Sequence, residues 1–240
     1  MSRLVWLGEQ TDPNWFPPLD HALREPPGLL AAGGDLSPAR LLAAYERGVF
    51  PWYSAQQPIL WWSPDPRMVL FPREFNRSRS LRKTLRNGPY TTRVDHAFGA
   101  TIRACAAPRR GGPDTWLNDD MIASYEQLHD LGFGHSIETY EADRLAGGLY
   151  GIQLGQVFFG ESMFSLKRDA SKVALARLVE ECRARDIQVI DCQVASSHLA
   201  SLGAREVSRG QFAALLRRFA RRAPSGSWCT AELGTPLRAP

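Results

Sequence analysis

The run QVIDCQV, residues 188–194, sets a carboxylate and an amide two positions apart among apolar neighbours. In an extended strand Asp191 and Gln193 would share one face, with Ile190 and Cys192 on the other. Burying such a pair without a purpose is costly. The two are therefore candidates for taking up a proton or orienting an amine, unless both sit solvated where the strand exits. A further carboxylate, Glu161, stands inside the aromatic strand FFGESMFS. Gly160 beside it permits a bulge, which would let neighbours of different parity line one cleft. Glu161 could otherwise serve as a cap partner or pair with an arginine.

Other catalytic equipment is missing. The chain has no GxSxG, P-loop or HExxH and no paired His/Cys metal spacing, so neither a metal nor another cofactor is expected. The histidines at 21, 96, 129, 135 and 198 are scattered and read as structural or exposed. Cys192 has no base on its own face, which argues against a thiol nucleophile.

The stretch GVFPWYSAQQPILWWSPDPR, residues 48–67, holds three of the seven tryptophans and four of the seventeen prolines. Prolines at 51, 58, 64 and 66 forbid a continuous helix and discourage a central strand. Trp52 on this stiff backbone could offer its face to a base, whereas Trp61 and Trp62 could equally be core.

Charge is uneven. Between Arg73 and Arg110 there are ten Lys/Arg and two acids, and Arg217, Arg218, Arg221 and Arg222 form a second basic run. An acidic middle, from Asp114 to Asp143, opposes them. Charge runs are often plain solvated faces. An excess of eight positive charges within 38 residues nonetheless favours a polyanion. The apolar run needed to span a membrane is absent, as is a signal peptide. Four cysteines without a CxxC suit a reducing cytoplasm.

These groups need a scaffold. Ser37, Pro38 and Gly48 bracket a helix, PRMVLFP (66–72) is a short strand, and a boundary near Pro64–Pro66 divides a small N-terminal domain (1–65) from a second one (66–240). In the latter, a basic helix (77–86) precedes the strand YTTRVD and two amphipathic helices. Three successive strands follow over 136–165, then a helix at 170–185, the IDCQ strand, a short helix and a final basic helix. This predicts an α+β fold: a mixed, mostly antiparallel sheet flanked by helices, whose element order resembles the GNAT acyltransferases. A CoA-dependent GNAT enzyme would carry a glycine-rich loop before its central helix. FSLKRDASKVALARL has no glycine at all.

The blocks GLLAAGGDLSPARLLAAYERGVFPWYS, ILWWSPDPR, DTW, GGLYG, FFGESMFS, ASK and IDCQ, followed by ASLGA, together resemble the leucyl/phenylalanyl-tRNA–protein transferases over nearly the whole chain. The resemblance implies an aminoacyl-tRNA donor carrying Leu, Phe or, less readily, Met. It implies an acceptor protein beginning with Arg or Lys, and a new peptide bond that creates an N-degron in the cytoplasm. Matched by motif, Asp191 and Gln193 are the catalytic pair and Glu161 the third polar site residue. Trp52 and Trp116 would flank the 3′-terminal adenosine. On this reading Asp191 accepts a proton from the amine, or orients it, while Gln193 holds Asp191 in place. Leu149, Phe158, Met163, Leu175 and Ile190 are candidates for the donor side-chain pocket, and Arg77, Arg82, Lys83 and Arg86 for the tRNA acceptor stem. A monomer is expected. The rival readings are a CoA-dependent N-acetyltransferase and a non-catalytic RNA-binding protein. The second leaves Glu161, Asp191 and Gln193 unexplained.

Overall fold

The computed structural model describes residues 3–8, 10–54, 56–108 and 116–228. Arg109, Arg110 and Asp114, counted above among the charged runs, lie outside them. The N-terminal residues build a four-stranded sheet, whose interior strand falls within the proline-rich stretch where a central strand was discouraged. Val5–Leu7 (β1) runs parallel to Leu29–Gly33 (β2). Helix Pro38–Glu46 (α1) follows, its start fixed by Ser37, which accepts from the Arg40 N–H, and by Pro38 in the first turn. Phe50–Pro51 (β3) then pairs with Leu60–Trp62 (β4), which also pairs with β2. Trp61 lies fully in the core, edge-on to Phe16 at 5.1 Å, with its Nε1 donating to the Gly33 carbonyl.

The second sheet has seven strands in the order β11-β5-β10-β9-β8-β7-β6. In chain order its elements are Arg67–Leu70 (β5), Arg79–Asn87 (α2), Tyr90–Val94 (β6), Phe98–Ala106 (α3), Asp119–Asp130 (α4), Gly134–Glu141 (β7), Arg144–Leu154 (β8), Val157–Ser165 (β9), Ala170–Ala184 (α5), Val189–Gln193 (β10), Ser197–Ser201 (α6), Arg205–Val207 (β11) and Arg209–Phe219 (α7). Its pairings are antiparallel except β9 with β10, which α5 joins. One apolar cluster packs α1, α3, α4 and α7 against the sheet; another, under α5 and Leu81 of α2, covers further apolar side chains of the sheet. The expected α+β class holds.

One helix boundary needs correcting. The basic helix expected at 77–86 begins at Arg79, because Ser78 caps it by accepting the Leu81 N–H. Arg77 therefore precedes the helix and pairs with Glu180 of α5 at 2.9 Å.

Candidate active site

The site forms where two parallel strands part. β9 and β10 are paired only from Val189↔Val157 to Asp191↔Phe159. Beyond that point each strand carries an irregularity. In β9, Tyr150 of β8 faces Ser162 while Gly151 faces Gly160, leaving Glu161 as the extra residue of a bulge. In β10 the register against β5 shifts between Asp191 and Gln193, and Gln193 adopts a φ of 61°. This left-handed turn overrides the expected alternation: Ile190, Asp191, Cys192 and Gln193 all border one cavity.

That cavity has a volume of about 350 Å³. Leu149, Met163, Leu175, Leu178, Ile190 and Leu199 supply apolar wall, while Glu161, Gln193, Ser196 and His198 supply polar groups. An adjoining cavity of about 260 Å³ is bordered by Phe50, Pro51, Trp52 and Val194. Both cavities share Trp116, Glu161 and Gln193. Trp52 is 45 % exposed; its ring lies 5.9 Å from Trp62, and Trp62 Nε1 donates to the Trp52 carbonyl at 2.7 Å. The second tryptophan thus props the first from behind.

Asp191 is held in a buried ion pair at the cavity floor. It backs the floor with no solvent exposure, and Arg67 of β5 grips both its oxygens: Nε donates to Oδ1 at 2.8 Å and Nη2 to Oδ2 at 2.6 Å. The Gln193 backbone N–H adds a third bond to Oδ1 at 2.9 Å. Arg67 also donates to the Gly48 carbonyl and lies over the rings of Phe50 and Phe212. A carboxylate so enclosed fixes its neighbours while bordering the larger cavity. The Gln193 side chain does not hold Asp191. Its Nε2 donates instead to Glu161 Oε1 at 2.8 Å.

Glu161 is the acidic group that faces both cavities. Tyr125 of α4 donates to its Oε2 at 2.9 Å, and Tyr45 of α1 lies 2.6 Å beyond, oxygen to oxygen. Burial raises the Glu161 carboxyl to about 7, against the opposing pull of the tyrosine hydrogen bonds. His198 is half-buried, and desolvation with nearby Lys172 lowers its pKa. Burial pushes the Cys192 thiol well up, so it stays protonated.

Of the predicted pocket residues, Leu149, Met163, Leu175 and Ile190 border the larger cavity. Phe158 does not. The bulge puts it on the Met163 face but deeper, fully buried and 5.8 Å from Trp228. Arg82, Lys83 and Arg86 are exposed on α2, whereas Arg77 is occupied by Glu180. Sequence reasoning passed over Arg67, although a cation at the head of the apolar run RMVL was a visible signal. It offered neither Tyr45 nor Tyr125 as a site residue, it read His198 as structural or exposed, and it missed Leu178, Ser196 and Leu199.

The leucyl/phenylalanyl-tRNA protein transferase family model matches residues 69–217, and the model of that family's N-terminal domain matches residues 34–65. A leucyl/phenylalanyl-tRNA–protein transferase from Nitrosospira multiformis is 54 % identical, over 94 % of this chain and 97 % of its own. Another, from Chromobacterium violaceum, is 54 % identical over 89 % and 91 %. Among solved structures, a GCN5-related N-acetyltransferase from Kribbella flavida is similar over 71 % of this chain and 61 % of its own, at 10 % identity and a TM-score of 0.39.

Proposed function

The chain belongs to the leucyl/phenylalanyl-tRNA–protein transferase family and is an aminoacyltransferase; from that premise we propose how its cleft does the work. The donor is Leu- or Phe-tRNA, with Met-tRNA used less readily. The acceptor is a protein beginning with Arg or Lys, and the product is an N-degron formed by a monomer in the cytoplasm. The observation that carries this reading is the convergence of the two cavities on Trp116, Glu161 and Gln193.

Trp52 and Trp116 take the terminal adenosine of the tRNA, a stacking interaction worth about 1–3 kcal/mol per base. The donor side chain enters the larger cavity among Leu149, Met163, Leu175 and Ile190, to which Leu178 and Leu199 are added. Met163 is unbranched and soft, which suits both Leu and Phe. β-Branched side chains are refused by shape, since methylene differences alone discriminate by only about 1–3 kcal/mol. Arg82, Lys83 and Arg86 attract the acceptor stem through its phosphates. Residues 1–65 act as the small domain that supplies Trp52.

The aminoacyl ester is already activated. The acceptor amine, once neutral, attacks the ester carbonyl; the C–N bond forms and the C–O bond to the ribose 3′ oxygen breaks. The amine loses one proton and that oxygen gains one. Ionised Glu161 holds Gln193 by its Nε2, which leaves the Gln193 Oε1 to accept a hydrogen bond from the amine. Asp191 and Arg67 act as positioning residues that fix the Gln193 backbone. Much of the rate then comes from orientation.

Incubation with radiolabelled Phe-tRNA and an Arg-initiated peptide tests the reading. Label in the peptide is expected; none would refute it. A thermal shift with CoA would favour the acetyltransferase alternative instead, and none is expected.

A further inference from the structure

A phenol has one proton to give. Tyr125 gives its own to Glu161 at 2.9 Å, and the two phenols meet at 2.6 Å with Tyr45 also bonding Glu161, so the pair turns its protons toward that one carboxyl. Both phenols are wholly buried, and burial together with the nearby Glu161 charge raises their pKa far enough that they remain donors.

We infer that Tyr45 and Tyr125 are positioning residues for aminoacyl transfer: their paired hydroxyls favour the ionised form of Glu161, and ionised Glu161 keeps the Gln193 amide turned with its oxygen toward the acceptor amine. This rests on the role given to Glu161 and Gln193 above. A protonated Glu161 would present an O–H of its own. Gln193 would then turn its carbonyl to meet it, leaving the NH₂ facing an amine that also donates. The charge on one buried carboxyl is in this way translated into the orientation of a neutral amide.

The other groups facing Glu161 are Tyr150 from β8, Asp191 from β10 and Arg67 from β5. Asp191 and Arg67 oppose each other and are locked together. The Tyr150 hydroxyl is buried with no hydrogen-bond partner among the described residues. The two phenols are the part of this environment that a single-atom change removes.

The test uses Tyr125→Phe and Tyr45→Phe with two readouts. One is the pH dependence of transfer from saturating Phe-tRNA to an Arg-peptide. The other is the titration of Glu161 itself, followed by NMR of ¹³C-carboxyl glutamate and assigned by its loss in Glu161→Gln. Tyr125→Phe is expected to move both midpoints up by about one unit. At pH 7 that lowers the rate about fivefold, with KM for Phe-tRNA unchanged. Tyr45→Phe is expected to shift both in the same direction, because Tyr45 bonds Tyr125 and acts on Glu161 as well. The acceptor amine's own titration belongs to the peptide and is common to all variants. An unmoved NMR midpoint in both variants overturns the role of the phenols and leaves the role of Glu161 standing. A moved midpoint with an unmoved rate profile overturns the inference by removing Glu161 from the reaction.

Discussion

The floor of the cleft and the outer face of α2 both gather charge, and they treat it in opposite ways. At the floor, Arg67 and Asp191 are essentially without exposure and bonded through two parallel contacts, with Glu161 and Gln193 tied in behind them. On α2, Arg82, Lys83 and Arg86 stand in solvent and make no ion pair among the described residues. Low dielectric makes the first group strong, geometric and nearly blind to salt. High dielectric makes the second weak one by one, additive, and readily screened. Holding an ester and an amine in register needs the former; capturing a polyanion of any sequence needs only the latter.

The contrast can be broken in four places. Asp191→Ala leaves the Arg67 charge buried and unpaired, so it should destabilise the fold by about 3–5 kcal/mol, read from urea unfolding. A loss below 1 kcal/mol would mean that the pair is wet. Glu161→Gln should lower the transfer rate about 100-fold or more and abolish the rise in rate with pH near 7. Stability should respond in the opposite sense. The Glu161 pKa is raised from 4.5 to about 7, so its contribution to stability is full below 4.5 and fades as pH climbs through 7. Above pH 7, Glu161→Gln should therefore unfold at higher urea than the parent, and an unchanged midpoint would count against the burial argument. Trp52→Ala should weaken Phe-tRNA binding by about 1–3 kcal/mol with little change in the rate at saturation. Smallest, Lys83→Ala should raise KM for Phe-tRNA only a fewfold while reducing the salt slope by about one. If instead the salt slope stays fixed, α2 is not a phosphate contact.

Where sequence reasoning succeeded, the signal was local. Ser37, Pro38 and Gly48 announced α1, and the runs of alternating or periodic side chains placed β6 through α5. Glu161 and Gln193 stood out because polar groups inside apolar strands are expensive. What stayed hidden was long-range or broke a rule of period. β1, β3 and β4 have three residues or fewer, too short to carry an alternation. Arg67 finds Asp191 across 124 residues of chain. Tyr45 and Tyr125 sit at ordinary core spacing, and nothing in their neighbours says that their hydroxyls meet. Phe158 was assigned to the cavity as an apolar residue of the same strands, but it lies deeper, fully buried beside Trp228.

The brief pairing of β9 with β10 has a mechanical corollary. The ladder between the two halves of the large sheet is three residue pairs long, from Val189↔Val157 to Asp191↔Phe159. The gap above them works like the jaws of a clothes peg, with that short seam as its spring. A change that loosens the seam, however distant from any substrate atom, would alter how wide the jaws stand.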